Sequence, residues 1–321
     1  MSQRKLAETP RPLYELAEDE LNRKIIISRI MTYTQKYLTN ELINDGFEWL
    51  RPVIISPCTD PLWPDHDASI EKRIEIEIYG ITVRTTLSMI IHKLVACSLA
   101  YPKLFIWSPN IRIEKRERAY TGIHLYEFTQ LDFEVRNASS RDIMNYVEEK
   151  LCGLLRYLKD QLKDELMALG RYYELKIPER PFRVFDREDL ERRYGCNWET
   201  KIPMDISEPI WVVNIPREFY DYEDLETGKW DNYDLFLPKF GEVLSGARRE
   251  WEYEKIIGKM ERDKVKKENY KVLLKLAREG KLKPTAGAGI GLERLVGWIA
   301  GVRHIGETQP FPKVPGIVHE L

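Results

Sequence analysis

The stretch TAGAGIGLERLVGW, residues 285–298, sets glycines at 287, 289 and 291 and follows them with Glu293 and Arg294. Alternate residues of a strand share one face, so Gly287, Gly289 and Gly291 bare the backbone on a single side. Something flat can lie on such a strip, and Arg294, one turn into the helix that follows, can reach back over it toward a ring or a phosphate. Tight helix-on-strand packing explains the glycines equally well, and the stretch alone leaves both readings open. Two familiar phosphate cradles are excluded: the run lacks the Lys-Ser/Thr of a P-loop, and its Gly-x-Gly-x-Gly spacing is not the Gly-x-Gly-x-x-Gly of a dinucleotide fold.

The rest of the chain supplies elements to surround that strand. Apolar residues recur at helical spacing over 17–45 (Leu21, Ile25, Ile26, Ile30, Met31, Leu38, Leu42), with Gly46 as the stop. A second helix is expected over about 88–100, and a third, the most amphipathic, over 140–168, with Ile143, Val147, Leu151, Leu154, Leu155, Leu158 and Leu162 on one stripe. Charged helices are expected over roughly 250–279. Strand-like runs lie between them: WLRPVIIS, RIEIEIYG, TVRTTL, LFIWS, IRIEKR, YEFTQLDFEV, IWVVNI, WDNYDLFL and GEVLSG. Runs of strands joined by turns and interrupted by long helices predict an α+β fold around an antiparallel sheet. The proline-dotted 176–206 stretch has no assigned role, and residues 1–16 form a polar lead before a single domain over 17–321.

With 321 residues, 43% of them hydrophobic, the chain can bury a substantial core. Fifty Lys and Arg against 52 Asp and Glu leave no global field to gather nucleic acid or acidic membrane. Cys58, Cys97, Cys152 and Cys196 are scattered, which fits a reducing cytoplasm and neither a zinc ribbon nor a disulfide framework. No signal core or membrane span is recognisable, so a cytoplasmic protein is expected. The 32% charged content resembles that of proteins from hot environments.

Two strand-like runs have an unusual second face. IRIEKR places Arg112, Glu114 and Arg116 opposite Ile111 and Ile113, and YEFTQLDFEV places Phe128, Gln130, Asp132 and Glu134 opposite Leu131, Phe133 and Val135. The turn-rich 117–124 segment joins them as a long hairpin. A solvated sheet face is the plain reading of such charges. A scarce Gln amid carboxylates, and a Phe that is costly to expose unless a ligand covers it, favour a binding floor.

These same residues carry a resemblance. IRIEKRE…IHLYEFTQLDFE resembles motif 2 of class II aminoacyl-tRNA synthetases, and GAGIGLERL resembles their motif 3. EFTQLD and NYDLFLPKFGEVLSGARRE look most like the aspartyl and asparaginyl branch, and Pro52 stands where motif 1, which helps build the family dimer, is expected. The resemblance runs from about residue 20 to the C-terminus. It implies ATP as substrate, with Arg112 on the α-phosphate, Glu114 close by, His124 near the terminal phosphate, and adenine between Phe128 and Arg294 above Gly289 and Gly291. It also implies that Asp234 and Glu242 hold magnesium, a hard cation suited to carboxylates. Lys93 and Arg249 match the pair that grips a substrate carboxylate, and two converging cations favour aspartate.

In that branch an anticodon-binding barrel of roughly 100 residues precedes the catalytic domain. Here about 45 helical residues precede the motif 1 position, so no anticodon-binding domain is expected. The chain then resembles the archaeal asparagine synthetases related to asparaginyl-tRNA synthetase, which make asparagine from aspartate, ATP and ammonia. A homodimer is expected and tRNA binding is not. Ser88, Met89 and Ile90 stand where the synthetases have Ser-Pro-Gln, so the Gln that holds the substrate amino group is replaced by Ile90, while Ser88 and Gln130 are expected substrate contacts. Aspartate bound in reverse, with its α-carboxylate on Lys93 and Arg249, would offer its β-carboxylate for adenylation. Asp132 beside Gln130 is the expected acceptor of the ammonium proton, with Glu134 as fallback. The alternative reading is an enzyme of the same core that charges a tRNA or another acceptor with aspartate or asparagine.

Overall fold

The computed structural model describes residues 8–61 and 70–321. Its centre is an eight-stranded sheet: β1 (Glu48–Trp49), β2 (Lys103–Ile111), β3 (Glu127–Arg136), β4 (Arg183–Asp186), β5 (Ile210–Val213), β6 (Asn232–Leu237), β7 (Gly241–Arg248) and β8 (Thr285–Gly291), in the order β1-β2-β3-β8-β7-β6-β5-β4. The six inner strands run antiparallel, as the alternating runs predict. Both edges depart from this, because β1 pairs with β2 and β4 with β5 in parallel. Strand β4 and helices α5 (Arg187–Tyr194) and α6 (Trp198–Asp205) come from the stretch left unassigned, which therefore completes the sheet.

Helices α1 (Glu18–Asn44), α3 (Ser140–Gln161) and α9 (Leu292–Ala300) cover one sheet face. Their apolar stripes meet Leu131, Phe133, Leu235, Leu244, Ala286 and Ala288 in one core. In α1 the buried residues are Lys24, Ile27, Ile30, Thr34, Leu38 and Leu42, whereas Ile25, expected inside, is exposed. Of the rest of the predicted stripe, Ile30, Leu38 and Leu42 are buried and Ile26 and Met31 pack against the same core. All seven apolar residues predicted for 140–168 are buried, but the helix breaks at Leu162 and resumes as α4 (Lys163–Ala168). Ser139 opens α3 with a reciprocal cap, accepting from Asp142 N while Asp142 accepts from Ser139 N.

Helix α2 (Ile90–Leu99) lies against the other face, followed in chain order by α7 (Tyr253–Arg262) and α8 (Lys271–Arg278). Pro52 splits the expected WLRPVIIS strand, leaving β1 and a short piece at Ile55–Ser56. That piece joins the hairpin Glu75–Ile78 and Ile81–Thr85, turned by Tyr79 and Gly80 at positive φ. IRIEKR is not one strand either. Strand β2 ends at Ile111, and Arg116 enters a 3-10 turn (Arg116–Thr121), so Arg116 leaves the face it was expected to share with Arg112. Residues 8–16 of the lead dock on the C-terminal segment through Leu13 N–H to Pro310 O, while residues 1–7 lie outside the described residues. No helix among the described residues is long and apolar enough to cross a membrane.

Cross-strand register gives the glycines a reason. Gly287 faces Glu134, Gly289 faces Asp132 and Gly291 faces Gln130 across the β8–β3 ladder, so each missing side chain leaves room for a large polar one opposite. The room is graded. A Cβ on residue 287 would overlap the Phe133 carbonyl oxygen and the Glu134 carboxylate, whereas on 289 its nearest neighbours are Asp132 Oδ1 and Gln130 Nε2, both at 3.2 Å. Close packing therefore governs Gly287, and an open floor begins at Gly289. Gly287→Ala is expected to destabilise the fold by at least the ~1–3 kcal/mol typical of overpacking, and Gly289→Ala by less, in urea denaturation.

Candidate active site

Strand β3 turns Phe128, Gln130, Asp132 and Glu134 away from the core, and they form a floor that runs from an open cleft to a buried ion cluster. At the open end, all eight residues expected around ATP line one cleft. Arg112 sits just past the end of β2, its Nε donating to Leu87 O at 3.0 Å and its guanidinium 5.2 Å from the Phe128 ring centroid. Arg294 comes from the first turn of α9 and donates to Ile123 O (3.2 Å) and Glu242 O (3.1 Å). The two guanidinium groups thus face a shared space, and Phe128 borders it.

Glu114 is buried and ion-paired to Arg118 at 2.9 Å. Burial raises its pKa, and Arg118, Arg112 and Arg294 oppose that rise. His124 accepts or donates with Thr121 Oγ1 at 2.7 Å, depending on its tautomer. Burial, then the charges of Arg294, Arg118 and Arg112, push its pKa well below the ordinary histidine value, so it is neutral near pH 7. A solvated loop histidine would not feel three arginines.

At the closed end, Lys93 from α2 donates to Asp132 Oδ1 (2.8 Å) and Ala288 O (2.9 Å), with Glu134 Oε2 at 3.8 Å. Arg249 reaches Glu134 Oε1 at 3.1 Å and Asp221 Oδ1 at 2.5 Å. The two cations do converge, as expected, but on internal carboxylates. Two cations among three acids are not a preformed anion trap, so the expected preference for a dianionic amino acid does not follow from Lys93 and Arg249 alone. Glu134 Oε1 accepts from Arg249 Nε (3.1 Å) and Thr285 Oγ1 (2.7 Å), and its Oε2 from Arg249 Nη2 at 3.5 Å, so the fallback proton acceptor is already engaged at both oxygens, more loosely at Oε2. Asp132 keeps one: its Oδ2 is buried and has no partner among the described residues.

Ser88, a predicted substrate contact, accepts from Ile90 N at 3.2 Å at the start of α2. Ile90 is buried in an apolar cluster with Phe219 and Ile256 and offers no polar atom to a ligand. Asp234 on β6 and Glu242 on β7 lie on neighbouring strands. Asp234 is paired with Arg217, and its Oδ1 is buried without a hydrogen-bond partner among the described residues. Burial pushes the Asp234 pKa up to about 7, Arg217 opposes this, and Glu242 adds to it. No set of three His, Cys, Asp or Glu poised to hold a metal occurs among the described residues. A pair with one orphaned oxygen suits a cation that completes its shell with phosphate oxygens. The sequence reading missed Arg217 and Asp221, which sit in an irregular loop without periodicity. It also passed over Glu293, although that residue stands beside Arg294.

An antiparallel sheet used as a floor, with one arginine from a strand end and another from a following helix, defines the catalytic core of class II aminoacyl-tRNA synthetases. The model of the class II tRNA synthetase family (D, K and N) matches residues 71–315, and the chain belongs to that family. Asparagine–tRNA ligase of Metamycoplasma arthritidis is 27% identical over 252 residues, covering 70% of this chain and 55% of that protein. The same enzyme of Koribacter versatilis is 27% identical over 297 residues, covering 84% and 64%. The chain therefore spans less than two thirds of the length of these relatives. Among solved structures, asparaginyl-tRNA synthetase from Pyrococcus horikoshii complexed with asparaginyl-adenylate superposes with a TM-score of 0.81 at 23% identity, over 93% of this chain and 70% of that one. That likeness concerns the fold.

Two outcomes follow from the electrostatics. Arg249→Met removes the cation shared by two buried acids and is expected to cost about 3–5 kcal/mol in denaturant unfolding. His124 binds its proton less readily folded than unfolded, so its contribution to stability is lost as the pH falls below the ordinary value of 6.5. Its ring resonances should not titrate between pH 6.5 and 8 in an NMR experiment.

Proposed function

We propose that this chain is an ATP-dependent ligase that activates a carboxylate of an aspartate-type amino acid as its acyl-adenylate. The observation that carries this reading is the single cleft in which Arg112, Phe128 and Arg294 meet, and the asparagine–tRNA ligase relatives support an amino acid of the aspartate type. A carboxylate oxygen attacks the α-phosphorus of ATP, the bond to pyrophosphate breaks, and a mixed anhydride forms. Arg112 and Arg294 stabilise the charge that develops on the phosphoryl oxygens. Asp234 and Glu242 would hold magnesium, which when bound neutralises the phosphate oxygens. Phe128 supplies the ring face for adenine.

The acceptor separates two readings. Asparagine synthesis from aspartate and ammonia is supported by Ile90, which gives no polar contact for an amino group in the orientation a tRNA synthetase needs. In this reaction ammonia attacks the activated β-carbonyl, AMP leaves, and Asp132 takes the released proton through its open oxygen. Transfer of aspartate or asparagine to a tRNA is supported by the curated relatives, which are asparagine–tRNA ligases. A homodimer and a cytoplasmic setting accompany either reading.

Incubation with aspartate, ATP, magnesium and ammonium should yield asparagine and AMP in equal amounts. Attachment of labelled asparagine or aspartate to tRNA, with no free asparagine formed, would replace the synthesis reading. Absence of any ATP–pyrophosphate exchange with either amino acid would remove both. If Asp132 accepts the proton, Asp132→Asn should lower kcat for asparagine formation by about 10²–10⁴-fold.

A further inference from the structure

The ladder between β3 and β8 ends at Gln130↔Gly291, yet β3 begins three residues earlier, at Glu127. On that side the strand runs on without a partner strand, just where it carries Phe128. Its backbone groups must find acceptors and donors elsewhere. Two side chains supply them. The Thr129 N–H is accepted by both oxygens of Glu293, each at 3.0 Å. The Glu127 carbonyl accepts from Gln309 Nε2 at 3.0 Å, and the same amide nitrogen lies 3.4 Å from Glu293 Oε1. Glu293 and Gln309 therefore occupy the place of a missing strand segment, satisfying residue 127 and residue 129 on either side of the ring-bearing residue.

This substitute partner is itself firmly held. Gln309 Oε1 accepts from Lys313 N at 3.0 Å, and Lys313 O accepts from Tyr126 N at 2.8 Å, which closes a loop of contacts around the start of β3. From the other side the buried Lys24 of α1 donates to Glu307 O (2.8 Å) and Gln309 O (2.7 Å). Glu293 is only 4% exposed, on the first turn of α9, immediately before Arg294. One helical turn thus fixes two walls of the cleft: Glu293 holds the backbone that carries Phe128, and Arg294 holds Ile123 and Glu242 on the opposite side.

We propose that Glu293, supported by Gln309, is a positioning residue that sets the Phe128 ring for the base of the nucleotide, and that it governs affinity for the adenine moiety and not for the phosphates. This rests on the reading of the cleft as an ATP site. The ligand face offers a flat ring at Phe128 and a cation for phosphate at Arg112, and Glu293 bonds the backbone N–H of Thr129, the residue next to the first of these. Turning the carboxylate into an amide leaves the Thr129 N–H one neutral acceptor in place of two carboxylate oxygens, so the strand end is held more weakly while Arg112 and its hold on Leu87 O stay in place.

Equilibrium binding separates the two halves of the ligand. Wild type, Glu293→Gln and Gln309→Ala are each titrated with ATP and, separately, with inorganic tripolyphosphate, in the presence of magnesium. The expected result is ATP binding weaker by about tenfold in Glu293→Gln, the size of one lost hydrogen bond, and by a smaller factor in Gln309→Ala. Tripolyphosphate binding should change by less than about twofold in both. Unaltered ATP binding in Glu293→Gln, or equal loss of both ligands, overturns the proposal, because a generally loosened cleft would not discriminate base from phosphate. If Glu293→Gln fails to fold, the same base-against-phosphate split in Gln309→Ala decides the matter. Wild type that binds tripolyphosphate but not ATP, or neither, removes the nucleotide reading itself, an outcome distinct from equal behaviour of variant and wild type.

Discussion

The ion cluster of Lys93, Asp132, Glu134, Arg249 and Asp221 is the constraint on which the middle of the molecule depends. Five charged groups buried to 6% exposure or less can persist only if each is paired, because an unpaired one would cost several kcal/mol. That requirement decides what may stand beside them. Glu134 and Asp132 project from β3 toward β8, which leaves no space for a side chain at 287 and little at 289. It also draws α2 against the sheet, since Lys93 must reach both Asp132 and the Ala288 carbonyl. The same network fixes the level of the floor at its closed end, so the open end, where Gly289 and Gly291 meet Arg294, becomes a cleft by contrast.

Sheet and helices were largely legible because their signals are local. The period-two pattern of YEFTQLDFEV sorted β3 correctly into a core face and a polar face, and the stripe of leucines in 140–168 marked residues that are all buried. Failures had physical causes of equally local kind. Pro52 removed a ladder donor and broke a run that looked continuous. Isoleucine at 25 and 26 and again at 27 gave α1 three adjacent apolar residues, and spacing cannot choose among neighbours when packing against α3 and α9 makes the choice. The parallel edges were invisible, since β1 and β4 are two and four residues long and pair with strands far away in sequence.

The candidate site was legible in its membership more than in its state. Motif resemblance gathered Arg112, His124, Phe128 and Arg294, and the fold brings them to one cleft. What resemblance could not supply is the condition of Lys93 and Arg249, which are already matched by acids, or the engagement of Glu134. Such facts depend on three-dimensional partners from distant segments; Asp221 and Arg217 come from a loop whose sequence, PREFYDYED, carries no repeating pattern at all. Glu293 illustrates a different blindness. A carboxylate beside an arginine at a helix start reads as ordinary dipole compensation, and only the ladder's early end shows which backbone group it serves.

The two parallel edge strands carry a consequence of their own. A wide sheet normally presents rows of unpaired amides at its margins, which invite other chains to add on and form aggregates. Here one margin is a mere two residues, Glu48 and Trp49, and the other is a short strand that bears Arg183 and Asp186. Brevity and charge make poor templates for a foreign strand. A sheet that carries a broad polar floor thereby avoids exposing long adhesive borders along with it.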